Sequence, residues 1–124
     1  MGRISKRRID PEIEERIFEI FWGHLSSFNT SKETRDFFMS LLSYTEQVML
    51  AKRLIIAVLL AKNKTYDEIS DIIKVSKSTI GSVHKQIFIG APGYVNAVTK
   101  ILKDERHEKM WNKINNPRPY GRGF

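Results

Sequence analysis

The stretch 65–87 combines hydroxyl side chains, lysines and one glycine at a spacing suited to contacting a polyanion. Short hydroxyl groups can hydrogen-bond to bases or phosphates, glycine permits close approach, and lysines neutralise phosphates. If residues 77–87 form a helix, its exposed face carries most of these groups. The predicted DNA contacts are Tyr66, Ser76, Lys77, Ser78, Thr79, Gly81, Ser82 and Lys85.

The apolar residues of the same stretch predict the elements that position these side chains. A short helix, a tight turn and a second helix would pack through Ile69, Ile72, Ile73, Val75, Ile80 and Val83. This pattern predicts a helix-turn-helix over 65–87, whose second helix presents its N-terminal residues to base edges in the major groove. Lys74 stands where glycine is preferred, because a positive φ is expected at that turn position. The alternative is two short helices packed in an ordinary core.

Helix-start signals recur along the chain, whereas strand signals are nearly absent. Asp10 before Pro11 is typical of an N-cap with proline at the first helical position. The capping-box pattern, Ser or Thr with Glu three residues later, begins at Thr30, Ser43 and Thr65. Ser76 is a further N-cap candidate, and Gly90 marks a helix end. These signals predict an all-α fold of six helices, at about 11–28, 31–42, 44–62, 66–73, 77–89 and 92–103.

Positive charge is segregated along the 124-residue chain, which has 21 Lys and Arg against 14 Asp and Glu and a net charge of +7. The segments 1–8, 72–103 and 109–124 contain no acid. Such segregation favours a directed contact with an anionic partner, and double-stranded DNA is the partner we expect. The alternative is a neutral domain flanked by solvated basic tails.

The charge pattern and the helix signals divide the chain into three parts. Residues 1–9 form a basic N-terminal arm, residues 10–104 the helical dimerisation and DNA-binding domain, and residues 105–124 a basic C-terminal tail. The arm resembles those that follow the minor groove or the backbone beside a major-groove reader. Its predicted DNA contacts are Arg3, Lys6, Arg7 and Arg8. The end of this tail, residues 115–124, is rich in proline and glycine and is expected to be extended or disordered.

Several classes of protein are not expected. The chain contains no cysteine, which removes disulfides, cysteine-bound metals and thiol catalysis. The longest apolar run, 54–61, is too short to cross a bilayer, and no secretory signal follows the basic start, so we expect a cytoplasmic protein. The histidines His24, His84 and His107 lack metal-ligand spacing, so no metal site is predicted. No arrangement of catalytic residues is recognisable, and we expect no enzyme.

Two helices carry more apolar surface than a small single domain can enclose. The first has two neighbouring apolar stripes, and the third is apolar on all sides over 54–61. A helix that is apolar all round must be enclosed all round, and small domains bury a limited share of their surface. We therefore expect a homodimer with a shared core. The alternative is a monomer with the third helix at its centre.

Five segments occur in an order that resembles the bacterial tryptophan operon repressor family and its uncharacterised relatives. They are Leu42–Glu46, Ala51–Leu54, Lys64–Ile69, Val75–Ile80 and Gly90–Tyr94. The resemblance covers roughly residues 30–102. It implies a six-helix, intertwined homodimer whose two recognition helices read successive major grooves of a near-palindromic operator. It also implies repression of transcription, with an amino-acid corepressor in the type member.

The corepressor contacts of that family carry over only in part. The resemblance places Arg53 where an arginine meets the corepressor carboxylate, but the second ligand arginine falls on Ser82. The absence of one of two cations removes a charge-assisted contact of about 1.5–3 kcal/mol. In addition, Asp67 stands where the family has a basic phosphate contact. We therefore expect no tryptophan cofactor. The sequence does not identify any other small-molecule effector. The alternative role of Arg53 is an ion pair with an acid near the dimer interface.

The sequence thus predicts a homodimeric, sequence-specific DNA-binding regulator of transcription that acts as a repressor. The alternative comes from a different class of protein. It is a helical interaction or adaptor dimer whose helix-turn-helix no longer binds DNA and whose aromatic first helix binds a partner.

Overall fold

Every regular element is helical within residues 7–115, the part of the chain that the computed structural model describes. The seven α-helices of this part are α1 (Pro11–Leu25), α2 (Ser31–Leu41), α3 (Tyr44–Ala61), α4 (Tyr66–Ile73), α5 (Lys77–Phe88), α6 (Pro92–Lys103) and α7 (Glu108–Asn115). A 3-10 turn, Glu105–His107, precedes α7. The all-α fold class is confirmed, and the first six helices lie within three residues of their predicted bounds.

Side-chain caps fix where the helices begin. The Asp10 carboxylate accepts a hydrogen bond from the backbone N–H of Glu12 at 2.8 Å, and Pro11 occupies the first position of α1. At α4 the capping box is complete, because Thr65 Oγ1 accepts from Glu68 N while the Glu68 carboxylate accepts from Thr65 N. Hydrogen bonds that the backbone N–H and the side chain of Thr65 give to the carboxylate hold the pKa of Glu68 below its ordinary value of 4.5. Each cap satisfies backbone donors that a helix end otherwise leaves unpaired.

Positive backbone angles end two helices where the sequence indicated. Lys74 closes α4 with φ 56° and ψ 63°, so the prediction of a left-handed turn residue at this position is confirmed. Gly90 follows α5 with φ 78°. Lysine has a steric cost in this conformation that glycine does not.

The chain divides into two units, residues 1–44 and 45–124. In the first unit, Phe37 of α2 is the centre of an aromatic group, with ring centroids 6.3 Å from Phe21, 5.0 Å from His24 and 5.3 Å from Phe28. No residue of α1 or α2 is fully buried. Within this unit, the apolar side chains Ile13, Ile17 and Ile20 of α1 are exposed.

The second unit contains the buried core. It is built from a run in the second half of α3, from the two helices that follow with their connecting turn, and from α7; its members are Ile56, Ala57, Val58, Leu59, Ile69, Val75, Ile80, Val83 and Trp111. Within α3 only this four-residue run is buried, and Leu50 is half exposed. Of the stretch 54–61, which the sequence predicts to be enclosed on all sides, residues 56–59 are therefore the ones buried within one copy of the chain.

The expected count of six helices needs correction, because residues 105–115 of the predicted basic tail are also helical. The Asp104 carboxylate caps the 3-10 turn through Arg106 N at 2.9 Å and pairs with the Arg106 guanidinium, which lowers its pKa strongly. Trp111 is buried in the core and Ile114 packs against it. An eight-residue helix with two core contacts gives too weak a periodic pattern to be recognised in the sequence. Residues 116–124 lie outside the described part.

Candidate nucleic-acid interface

The helices α4 and α5 are joined by a three-residue turn that is fastened on both sides. Ser70 Oγ donates a hydrogen bond to the carbonyl of Val75 at 2.7 Å, which ties the end of α4 to the turn. Lys52 Nζ, from α3, donates to the carbonyl of Lys74 at 3.1 Å. The turn is therefore fixed by hydrogen bonds from two helices, α4 through Ser70 and α3 through Lys52.

The helix α5 has one buried side and one open side. Ile80 and Val83 are fully buried and anchor it in the core. The predicted contacts Ser76, Lys77, Ser78, Ser82 and Lys85 are exposed, while Tyr66, Thr79 and Gly81 are partly buried. The structure thus brings the eight residues predicted for this region to one surface, formed by α5 and the first turn of α4.

Two of the predicted hydroxyl groups also shape the start of α5. Ser76 Oγ accepts a hydrogen bond from the backbone N–H of Thr79 at 3.1 Å, which makes it the N-cap. The hydroxyls of Ser76 and Thr79 lie 3.0 Å apart and share a hydrogen bond. A hydroxyl can donate one bond and accept two, so both retain capacity for an outside ligand. Their positions are set before any ligand arrives.

An ion pair that the sequence pattern did not predict joins the two helices. The carboxylate of Asp67, in the first turn of α4, contacts the ammonium of Lys77, the first residue of α5. A second pair, Asp71 with Lys74 at 3.5 Å, connects residues three apart at the end of α4. The sequence contains both acids, but only the packing of α4 on α5 reveals that one of them, Asp67, lies against the first residue of α5.

A shallow groove of about 350 Å³ lies beside this surface, lined by Tyr66, Gly81, His84, Lys85, Phe88 and Ile89. Tyr66 Oη and His84 Nδ1 are hydrogen-bonded at 2.8 Å across its wall. The sequence prediction did not include His84 or Phe88. The sequence does contain a pattern that places them on this surface. One face of a helix has the spacing 0, 3, 4, 7, and this spacing is followed by Gly81, His84, Lys85 and Phe88.

The remaining predicted residues are spread more widely. Arg7 and Arg8 are exposed ahead of α1, whereas Arg3 and Lys6 lie outside the described residues. Arg53 is partly buried in α3, and within residues 7–115 it forms no ion pair with an acid. In the same part of the chain no three His, Asp or Glu side chains are grouped closely enough to hold a metal. None of the helices described is both long and apolar enough to span a membrane.

Together these features define an all-α protein that presents one helix to solvent by means of a second helix and a tight turn. The family model described as Trp repressor protein matches residues 17–102, which is more than two thirds of the chain. The chain therefore belongs to the Trp repressor family. No curated protein and no solved structure matches it significantly.

Proposed function

We propose that this chain is a sequence-specific DNA-binding regulator of transcription that acts as a repressor, with α5 as its recognition helix. The observation that carries the proposal is the division of α5 into a side fixed in the core and a side that exposes Lys77, Ser78 and Ser82. A recognition helix needs both sides, because a base contact is selective only when the helix beneath it is held rigidly. The family membership supports the same function.

The charge of the chain supports a nucleic acid as the partner. The net charge is +7, and the stretch 72–103, which includes α5 and α6, has five lysines and no acid. Lysines near phosphates release condensed counterions, which gives affinity that decreases steeply with salt. The hydroxyl groups at the start of α5 add hydrogen-bonding capacity towards base edges.

We propose that the regulator binds as a homodimer to a near-palindromic operator. The support comes from α1, where Ile13, Ile17, Phe18, Ile20 and Trp22 are each at least half exposed in one copy. Exposed apolar surface of this extent is typical of an interface. Two copies would present two recognition helices to half-sites about one duplex turn, roughly 34 Å, apart.

We also propose that tryptophan is not a strong effector of this protein. Arg53 is available on α3, but the position on α5 that would complete a carboxylate clamp is the neutral, exposed Ser82. A carboxylate held from one side alone lacks a charge-assisted hydrogen bond. Isothermal titration of the protein with tryptophan should show no binding in the micromolar range, and a micromolar dissociation constant would contradict this proposal.

The DNA-binding function is tested by selecting duplexes from a random pool and comparing a recovered duplex with a random one in gel shifts. The wild-type chain should prefer the recovered duplex. Lys77→Ala and Ser78→Ala should reduce that preference by about fivefold or more each, because a good base contact contributes about 1–3 kcal/mol of discrimination. The matched control is Lys100→Ala, which removes the same charge from an exposed position of α6.

The outcome also separates this function from the adaptor alternative. If wild-type protein binds every duplex equally, or binds none, the proposed regulator is wrong and an interaction module becomes the better description. If Lys100→Ala lowers the preference as much as Lys77→Ala does, α5 is not the recognition helix.

A further inference from the structure

The ion pair between Asp67 and Lys77 occupies the outer edge of the α4–α5 surface. The two side chains are 80% and 63% exposed, so the pair faces solvent and not the core. An exposed pair of this kind contributes little to folding stability, because water screens the charges and two flexible side chains must be ordered. Because it faces solvent beside the exposed side of α5, the pair is accessible to a ligand of that helix.

Lys77 is placed where a lysine gains from a nearby anion. It is the first residue of α5, and the N-terminus of a helix carries a partial positive charge that disfavours a cation. The Asp67 carboxylate compensates for this repulsion. It also restricts an ammonium group that otherwise moves on a flexible four-carbon stem.

The other two acids of α4 have different partners. Glu68 is engaged in the capping box with Thr65, and Asp71 contacts Lys74 at the end of its own helix. Among the residues that the structure describes, Asp67 is the acid of α4 that is paired with the recognition helix. This difference makes Asp71 a natural control for Asp67.

A carboxylate at this edge has opposite effects on two kinds of DNA contact. It is repelled by phosphates and nearly cancels the charge of Lys77, which weakens attraction to any duplex regardless of sequence. The ammonium has three donors, and one bond to Asp67 leaves two for acceptors on a base edge, such as the O6 and N7 atoms of guanine. A Lys77 ammonium restrained by Asp67 therefore favours a contact with one base over contacts with phosphates along the DNA backbone.

We propose that Asp67 is a specificity-determining residue that positions Lys77 for a base contact and suppresses its indiscriminate attraction to phosphates. The inference rests on the proposed DNA-binding function. Asp67 acts through Lys77, so it is a positioning residue whose effect appears in the ratio of specific to random binding more than in affinity for the specific duplex.

The test measures binding of the selected duplex and of a random duplex by wild type, Asp67→Ala, Asp67→Glu and Asp71→Ala. Asp67→Ala should strengthen binding to the random duplex severalfold and lower the discrimination ratio by about fivefold or more. Asp67→Glu should restore most of the ratio, because it keeps the carboxylate. Asp71→Ala removes the same charge from the same helix and should change binding to both duplexes by the same factor.

The double variant Asp67→Ala/Lys77→Ala shows whether the effect passes through Lys77. Its discrimination ratio should equal that of Lys77→Ala alone. The inference is wrong if Asp67→Ala leaves the ratio at the wild-type value, as Asp71→Ala is expected to do, or if the effects of the two substitutions simply add. Circular dichroism should show unchanged helicity in all variants, since the substituted side chains are exposed.

Failure of this inference is distinguishable from failure of the proposed function. If the wild-type protein discriminates between the duplexes and substitution of Asp67 leaves its discrimination ratio unchanged, only the positioning role is wrong. A wild-type protein that does not discriminate between duplexes overturns the proposed function and the positioning role together.

Discussion

At the scale of single residues, Lys74 has the least favourable backbone conformation in the α4–α5 turn. Its φ of 56° lies in the left-handed region, where a side chain crowds the following carbonyl. Its carbonyl nevertheless accepts a hydrogen bond from Lys52, and within residues 7–115 its side chain forms only an exposed pair with Asp71. The lysine side chain therefore contributes little to the fold that would offset the backbone strain.

We predict that Lys74→Gly increases the free energy of unfolding by roughly 0.5–1 kcal/mol, because relief of the left-handed strain exceeds the entropy that glycine adds to the unfolded chain. Urea unfolding followed by circular dichroism measures the change. Asn63, with φ 64°, is the matched control, since asparagine tolerates this conformation and Asn63→Gly should gain less. A loss of stability in Lys74→Gly would mean that the lysine side chain has a stabilising role.

Residue-scale features separate clearly into those that the sequence predicts and those that it does not. The N-caps Asp10, Thr65 and Ser76 and the left-handed Lys74 depend on neighbours within four positions, so local chemistry predicts them. The pairs Asp67 with Lys77 and Tyr66 with His84 depend on how α4 crosses α5. A crossing angle follows from side-chain packing, and the sequence pattern alone does not contain it.

At the scale of elements, α7 is the largest departure from the sequence prediction. Its Trp111 is 6% exposed, and Lys62 Nζ lies 5.1 Å from the centre of the ring. Trp111 Nε1 is a buried donor without a hydrogen-bond partner in the described structure. The helix is therefore anchored by the apolar surface of the ring, and the polar atom of that ring adds no stabilising bond.

We predict that Trp111→Ala lowers the free energy of unfolding by about 3–5 kcal/mol, because it opens a large cavity in the core. Trp111→Phe should cost much less, since it keeps most of the ring surface and removes the unpartnered N–H. The control is the neighbouring Met110→Ala, at a position 42% exposed, which should cost well under half as much. Equal losses at 110 and 111 would show that α7 is not docked through Trp111. Thermal unfolding of the three variants provides the comparison.

The basic N-terminal arm is expected to contribute to the salt dependence of DNA binding. Residues 1–8 contain Arg3, Lys6, Arg7 and Arg8. If these side chains bind phosphates, deletion of 1–8 should make the salt dependence of DNA binding shallower by about 0.9 in log–log slope for each phosphate that is no longer neutralised. Fluorescence anisotropy at several salt concentrations measures the slope. Deletion of 116–124 is the control and should change it less, and a slope unchanged after deletion of 1–8 removes the arm from the binding surface.

At the scale of the whole molecule, the sequence predicted excess apolar surface on both α1 and α3, and the structure buries part of one helix and none of the other. The run Leu54–Ala61 suggested that α3 needs a partner, yet Ile56–Leu59 are already buried within one chain. The helix α1 has no buried residue, and Ile20 is 71% exposed. Hydrophobicity predicts that a helix must be covered, but which helix the chain itself covers depends on packing between elements distant in sequence.

We predict that the chain is a dimer of about 29 kDa, twice its 14.4 kDa, and that the apolar face of α1 lies in the interface. Ile20→Glu should shift the mass measured by light scattering towards the monomer, because burying a carboxylate without a partner is costly. Helicity should persist, since Ile20 contributes to no core within one copy. Ser40→Glu places the same charge on an exposed position of α2 and should leave the dimer intact. If the wild-type chain is a monomer, or if Ile20→Glu leaves the dimer intact, the apolar face of α1 is not the dimer interface. The proposed spacing of two recognition helices along DNA through α1 would then be wrong.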